Sequence, residues 1–308
     1  MKRREFIEKT AATTAFIGLG LSLSSFKSQV ISARESKHLT ILHTNDVHSY
    51  IDAFPANHPK NPNMGGVARR AAVIESVRKE NPNVLLLDAG DIFQGTPYFN
   101  YYGGELEFKL MSMMGYDAAT MGNHDFDNGI DGFNAQLPHA KFDFVSANYE
   151  FKNTVLEGKV KPYSIFHKSG IKVGVFGLGI KLEGLVDKKH YKETLYNDPV
   201  EVCKDIVRIL KHEQKCDLII CLSHLGYKYK DEPDKICDVT LASLTQDIDL
   251  IIGGHTHTFL DKPTVLKNAV GQEVIVNQVG CYGLNLGRID FYFEHDLSKT
   301  TSGKSILI

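Results

Sequence analysis

Tryptophan is absent from the 308-residue chain, which removes one common stacking and interface residue. Cysteine is sparse and odd in number: Cys203, Cys216, Cys221, Cys237 and Cys281. Such a set is no disulfide framework, and Cys216 and Cys221, bracketing an apolar run, read as core thiols. An excess of charge is missing as well. Lys plus Arg number 35 against 37 Asp plus Glu, for a net charge of -2, so no basic surface points to a nucleic-acid polymer. No apolar run reaches the roughly 20 residues needed to span a membrane. Gly174-Val-Phe-Gly-Leu-Gly179 lacks the dinucleotide-loop spacing. Ser223 has no glycine two residues before it, so it is no nucleophile elbow.

What is present is an ordinary globular composition, 43% hydrophobic and 23% charged, with 13 histidines. Residues 2–9 are charged and include Arg3-Arg4, and residues 11–23 are short and mildly apolar. This layout predicts a twin-arginine-type signal over residues 1–33, with cleavage near Ser22–Ser24 or before Arg34, and hence a periplasmic or otherwise exported protein. A single domain is expected over residues 38–296, with no membrane contact once the signal is removed.

Within that span, apolar strands alternate with amphipathic helices. Strands are predicted at Leu39–Leu42, Val84–Leu87, Ala118–Met121, Phe142–Ser146, Leu218–Leu222 and Leu250–Ile252. A hairpin is predicted around Ser169-Gly170. Helices are predicted at Val67–Lys79, at Glu105–Met114 with Gly115 as C-cap, and from Pro199 to about Lys211. Strands buried on both faces and interleaved with helices argue an α/β core.

In α/β sheets, sites form beyond the carboxyl ends of strands. Five such ends carry ligand-type residues: Asp46-Val-His48, Asp88 to Gly95 with Asp91, Gly122-Asn123-His124-Asp125-Phe-Asp127, Ser223-His224, and Gly253-Gly-His255-Thr-His257. The two-residue spacings Asp46/His48 and His255/His257 suggest extended segments whose alternate side chains face one ion. Singly each motif is weak; five in order at strand ends are not coincidence. Tyr98, Phe99, Tyr101 and Tyr102 follow Asp91 and either pack that loop or line an entrance.

The series Asp46-x-His48, Gly90-Asp91-x-x-Gln-Gly95, Gly122-Asn-His124, His224 and His255-x-His257 resembles the calcineurin-like metallophosphoesterases. The stretches Leu42–His48, Gly90–Gly104 and Gly122–Gly129 are similar to the 5'-nucleotidase family. The resemblance implies a sandwich of two mixed β-sheets flanked by helices, and a centre of two divalent ions. Asp46, His48 and His257 would hold one ion, and Asn123, His224 and His255 the other, with Asp91 shared. Carboxylate, imidazole and amide donors suit Mn, Zn or Fe better than Ca. The implied reaction is attack of a metal-bound hydroxide on a small phosphate ester, a nucleotide by the family's habit. His124, held by Asp127, would assist as acid or transition-state stabiliser. Asp125 stands where the family commonly has Glu. The sequence stops shortly after Phe293, without the family's C-terminal substrate domain. One alternative is therefore the catalytic subunit of a split nucleotidase that needs a separate substrate-domain protein, and another is a hydrolase of cyclic-nucleotide or other oxyanion esters.

Overall fold

The computed structural model describes residues 37–294 and 298–308; the expected signal segment lies outside them. In chain order the elements are β1 (Lys37–Thr44), α1 (Val67–Glu80), β2 (Val84–Asp88), α2 (Pro97–Tyr102), α3 (Glu105–Met114), β3 (Ala118–Ala119), α4 (Gly129–Gln136), β4 (Asp143–Phe144), β5 (Tyr149–Glu150), β6 (Tyr163–Lys168), β7 (Ile171–Leu178), α5 (Lys188–Tyr191), β8 (Leu195–Tyr196), α6 (Pro199–Arg208), β9 (Leu218–Ser223), α7 (Asp238–Leu244), β10 (Leu250–Gly253), β11 (Thr264–Lys267), β12 (Glu273–Asn277), β13 (Asn285–Phe293) and β14 (Lys299–Leu307).

They build two six-stranded mixed sheets, ordered β14-β13-β1-β2-β3-β4 and β11-β12-β10-β9-β7-β6, plus a small β5-β8 pair. In the first, β1 runs parallel to β2 and antiparallel to β13. In the second, β7, β9, β10 and β12 are parallel, with β6 and β11 as antiparallel edges.

Period-two alternation sorts the strand residues into layers. Leu39 and Ile41 of β1, Leu85 and Leu87 of β2, Leu218 and Ile220 of β9, and Leu250 and Ile252 of β10 all meet between the sheets. The alternate residues Leu42 and Leu86 face the other way, onto Ile74 of α1, Phe108 and Met111 of α3 and Phe133 of α4. Ile219 and Cys221 of β9 likewise pack on Cys203 and Ile206 of α6 and Leu241 of α7. The result is the expected helix–sheet–sheet–helix sandwich. All five cysteines are free and buried.

Local signals account for most element ends. Asp198 Oδ1 accepts the N–H groups of Val200 and Glu201 at 2.9 and 3.0 Å, with Pro199 in the first turn of α6. Gly115 ends α3 at φ 72°. Ser169 and Gly170 both have positive φ, the requirement of a tight two-residue hairpin turn.

Four features differ from the sequence expectation. The α-helical geometry of α6 stops at Arg208 and passes into a π-helical turn over Ile209–Glu213. The third and fourth strands shrink to two residues each, because only Ala118–Ala119 and Asp143–Phe144 keep ladder pairing. The aromatic stretch after Asp91 is partly helical: Thr96 caps α2 and Gly103 closes it at φ 61°. Phe99 packs into the core beside Phe93, whereas Tyr101 is 82% exposed, so that cluster divides between the two readings given above. Finally, Lys299–Leu307, beyond the expected boundary at residue 296, pairs with the whole of β13 as an edge strand. Among the described residues no helix is long and apolar enough to cross a membrane.

Candidate metal centre

All the ligand-type residues follow carboxyl ends of strands. Asp46 and His48 come after β1, Asp91 after β2, Asn123 and His124 after β3, His224 after β9, and His255 and His257 after β10. The first sheet supplies four of the seven candidate ligands and the second sheet three. Two groups converge: Asp46, His48 and His257, and Asp91, His224 and His255. His48 Nε2 lies 3.0 Å from His257 Nε2. Asp91 Oδ2 lies between the groups, 3.1 Å from His224 Nε2 and 3.8 Å from His48 Nε2. Asn123 Oδ1 completes the second group, 2.8 Å from His255 Nδ1.

The period-two explanation of the convergence is corrected. Asp46, His48, His255 and His257 have φ of 50°, 50°, 72° and 50°, all left-handed, so neither pair lies on extended chain. Asp91, at φ 55°, shares this geometry. Non-glycine residues rarely adopt it, and each costs of order 1 kcal/mol or more. Backbone bonds between loops hold the strain: Asp46 N–H donates to Gly90 O at 2.9 Å, His48 N–H to Asp91 O at 3.0 Å, and Ser49 N–H to Ile92 O at 2.9 Å.

Sequence reasoning gave Asp125 no role, yet it organises this loop. Its buried carboxylate accepts N–H groups from Asp91, Ile92, Phe93 and Gly122 at 2.8–3.1 Å. Burial first, and then the Asp91 charge, push its pKa up to about 7. Asn45 was also missed; its amide donates to Asp46 Oδ2 and Gly280 O, both at 2.6 Å. Their motif positions were visible in sequence, but their distant partners, residues 91–93 for Asp125 and Gly280 for Asn45, were not.

The donor set fits divalent transition-type cations on three observations. His224 Nδ1 sits 2.7 Å from Ala89 O, which directs Nε2 toward the cluster. That Nε2 is fully buried and makes no well-aligned hydrogen bond, although Asp91 Oδ2 lies only 3.1 Å away. The converging atoms are carboxylate oxygens, imidazole nitrogens and one amide oxygen, not an all-oxygen cage. Protons and cations compete for these lone pairs. Burial alone would lower the His224 pKa, but Asp91 and Asp46 overcome it and raise it. A hydrogen bond to Asp46 raises that of His257 to about 10. His255, desolvated and beside His224, falls to about 4.

His124 stands beside the cluster, its ring 5.3 Å from that of His48. Its Nδ1 is 2.8 Å from Asp127 Oδ2, and this hydrogen bond raises its pKa against the effect of burial. The backbone N–H of His124 donates to Asp91 Oδ1 at 2.8 Å.

Comparison with known proteins agrees with this geometry. The calcineurin-like phosphoesterase family profile matches residues 39–259. The trifunctional nucleotide phosphoesterase protein YfkN of Bacillus subtilis is 35% identical over 288 residues, 83% of this chain and 18% of its own length. The 5'-nucleotidase of Rattus norvegicus is 34% identical over 97% of this chain and 54% of its own length. The solved 5'-nucleotidase precursor of Thermus thermophilus superposes with a TM-score of 0.80 at 32% identity, covering 88% of this chain and 55% of that one. The chain thus spans about half, or less, of the length of these relatives. With strand-end motifs, sandwich and profile in agreement, the chain belongs to the calcineurin-like phosphoesterase family.

Proposed function

We propose that this protein is an exported, metal-dependent phosphomonoesterase of 5'-nucleotidase type. The observation that carries the reading is the convergence of two donor groups around Asp91, with the His124–Asp127 pair beside them. Asp46, His48, Asp91 and His257 would hold one divalent cation, and Asp91, Asn123, His224 and His255 the other. Two such cations supply Lewis acidity to phosphoryl oxygens and a water of lowered pKa.

The chain's own residues supply the rest. Ala89 O and Phe93 O lie against Nδ1 of His224 and His48, fixing the imidazole faces that meet the cations. Asp127, hydrogen-bonded to His124 Nδ1, raises its pKa and so favours the charged imidazole. That imidazolium donates toward the phosphoryl oxygens and then gives its proton to the departing alkoxide. Nucleotides as the substrate class are supported by the relatives' names. Export is supported by Arg3-Arg4 and the following apolar run.

The test is phosphate release from AMP and p-nitrophenyl phosphate by the purified full chain with added Mn. Asp91→Ala should abolish turnover, and His124→Ala should lower kcat by roughly 10² or more. Phosphate release unchanged in Asp91→Ala would overturn the reading. Release from cyclic diesters alone would replace it with a phosphodiesterase.

A further inference from the structure

A ladder of rings runs outward from the metal centre, and nothing in the motifs or the chemistry above uses it. The Tyr282 ring centroid lies 5.8 Å from that of His257 and 5.9 Å from that of His48. Tyr50 lies 4.4 Å from Tyr282 at an interplanar angle of 38°. Phe54 stacks on Tyr50 at 5.0 Å and 28°, and His58 follows at 4.5 Å from Phe54. All four rings are half-buried, each with a part in solvent. The packing aromatics of the core differ: Phe93, Phe108 and Phe126 are 0% exposed.

Tyr282 is also a conformational outlier. It sits at φ 62°, an unfavourable place for a bulky side chain. Its N–H donates to Asp46 O at 2.7 Å, so one candidate ligand residue holds the strained backbone that aims the ring. A rigid, partly wet aromatic surface beside a cationic centre suits a molecule with a phosphate at one end and a flat apolar group at the other.

We propose that the exposed side of the Tyr282–Tyr50–Phe54 ladder is a leaving-group subsite. It takes the planar aromatic part of a phosphate ester, a nucleobase or an aryl ring, while the phosphate lies at the metal centre. This deepens the phosphomonoesterase reading and rests on it. The subsite belongs to this chain and needs no second domain to form.

The test compares kcat/KM for AMP and ribose 5-phosphate in the Mn-loaded full chain. Both esters leave through the same primary alkoxide, so their ratio isolates the base and is independent of the fraction of active protein. Base–aromatic contact predicts a ratio of roughly 10 or more in the wild type. Tyr282→Leu and Tyr50→Leu should each reduce that ratio at least about fivefold, with Tyr282→Phe retaining it. Adenosine binding measured by calorimetry, which needs no turnover, should follow the same order. A wild-type ratio near 1, or Leu variants with unchanged ratio and unchanged adenosine affinity, would overturn the subsite and leave the ladder as packing for the Tyr50–His58 loop. Failure of the phosphomonoesterase reading has a different signature: no phosphate from either ester, whatever adenosine does.

Discussion

At the scale of residues, the site depends on close approaches that sequence spacing does not reveal. A Cβ on Gly122 would lie 2.1 Å from Asp91 Oδ1. Gly122→Ala should therefore push Asp91 out of the cluster and cost roughly tenfold or more in Mn affinity, measured by calorimetric titration of the chelator-stripped protein. Asp125→Ala leaves four backbone donors without their acceptor. Positioning groups of this kind are worth roughly 10- to 100-fold in metal affinity, so the same titration should weaken by about that factor, with Mn binding as tight as wild type counting against the assignment. His43 gives a pH signature remote from any reaction. It is fully buried, accepts from Asn277 Nδ2 at 2.8 Å, and burial lowers its pKa from 6.5 to about 3. Between those values the unfolded chain binds a proton that the folded chain does not. Stability from this group is complete above pH 6.5 and declines as pH falls toward 3. At about pH 5 the loss is about 2 kcal/mol. Urea unfolding of the chelated protein should show that increment in the wild type and lack it in His43→Leu.

At the scale of elements, what the sequence disclosed followed its local signals. Gly115 was legible as a C-cap because a left-handed residue after a periodic helix has few alternatives. Arg78 adds what no local pattern shows, donating to Met114 O and Gly115 O at 2.6 and 2.7 Å. Gly115→Ala should cost about 1 kcal/mol, roughly 2–4 °C in Tm by calorimetry, and leave metal affinity unchanged. α2 was missed although Thr96, Pro97 and Gly103 carry start and stop signals, since its aromatic content reads as loop or strand. The ligand loops were legible as strand ends but not in conformation: five left-handed non-glycine residues are imposed by contacts between loops, which period-two reasoning does not contain. The same holds for Tyr282, whose ring meets those of His48 and Tyr50, far earlier in the chain.

At the scale of the whole molecule, the candidate ligands join two sheets. Asp46, His48, Asp91 and Asn123 hang from the first, and His224, His255 and His257 from the second. Cations bound there would cross-link the sandwich and stabilise only the folded state. Chelation should lower Tm by several degrees, and Mn should restore it in the wild type but not in Asp91→Ala; a Tm indifferent to metal would contradict the cross-link.

The strand order carries one more consequence, for the making of the protein. β1 lies between β2 and β13, with Lys37 opposite Phe293 and Ile41 opposite Ile289. A nascent chain halted before Asn285 would already contain every candidate ligand, from Asp46 to His257, and yet lack the neighbour that closes one side of its first strand. The centre is therefore complete in composition well before it is complete in shape, and its assembly waits on a strand that follows the last candidate ligand by nearly thirty residues.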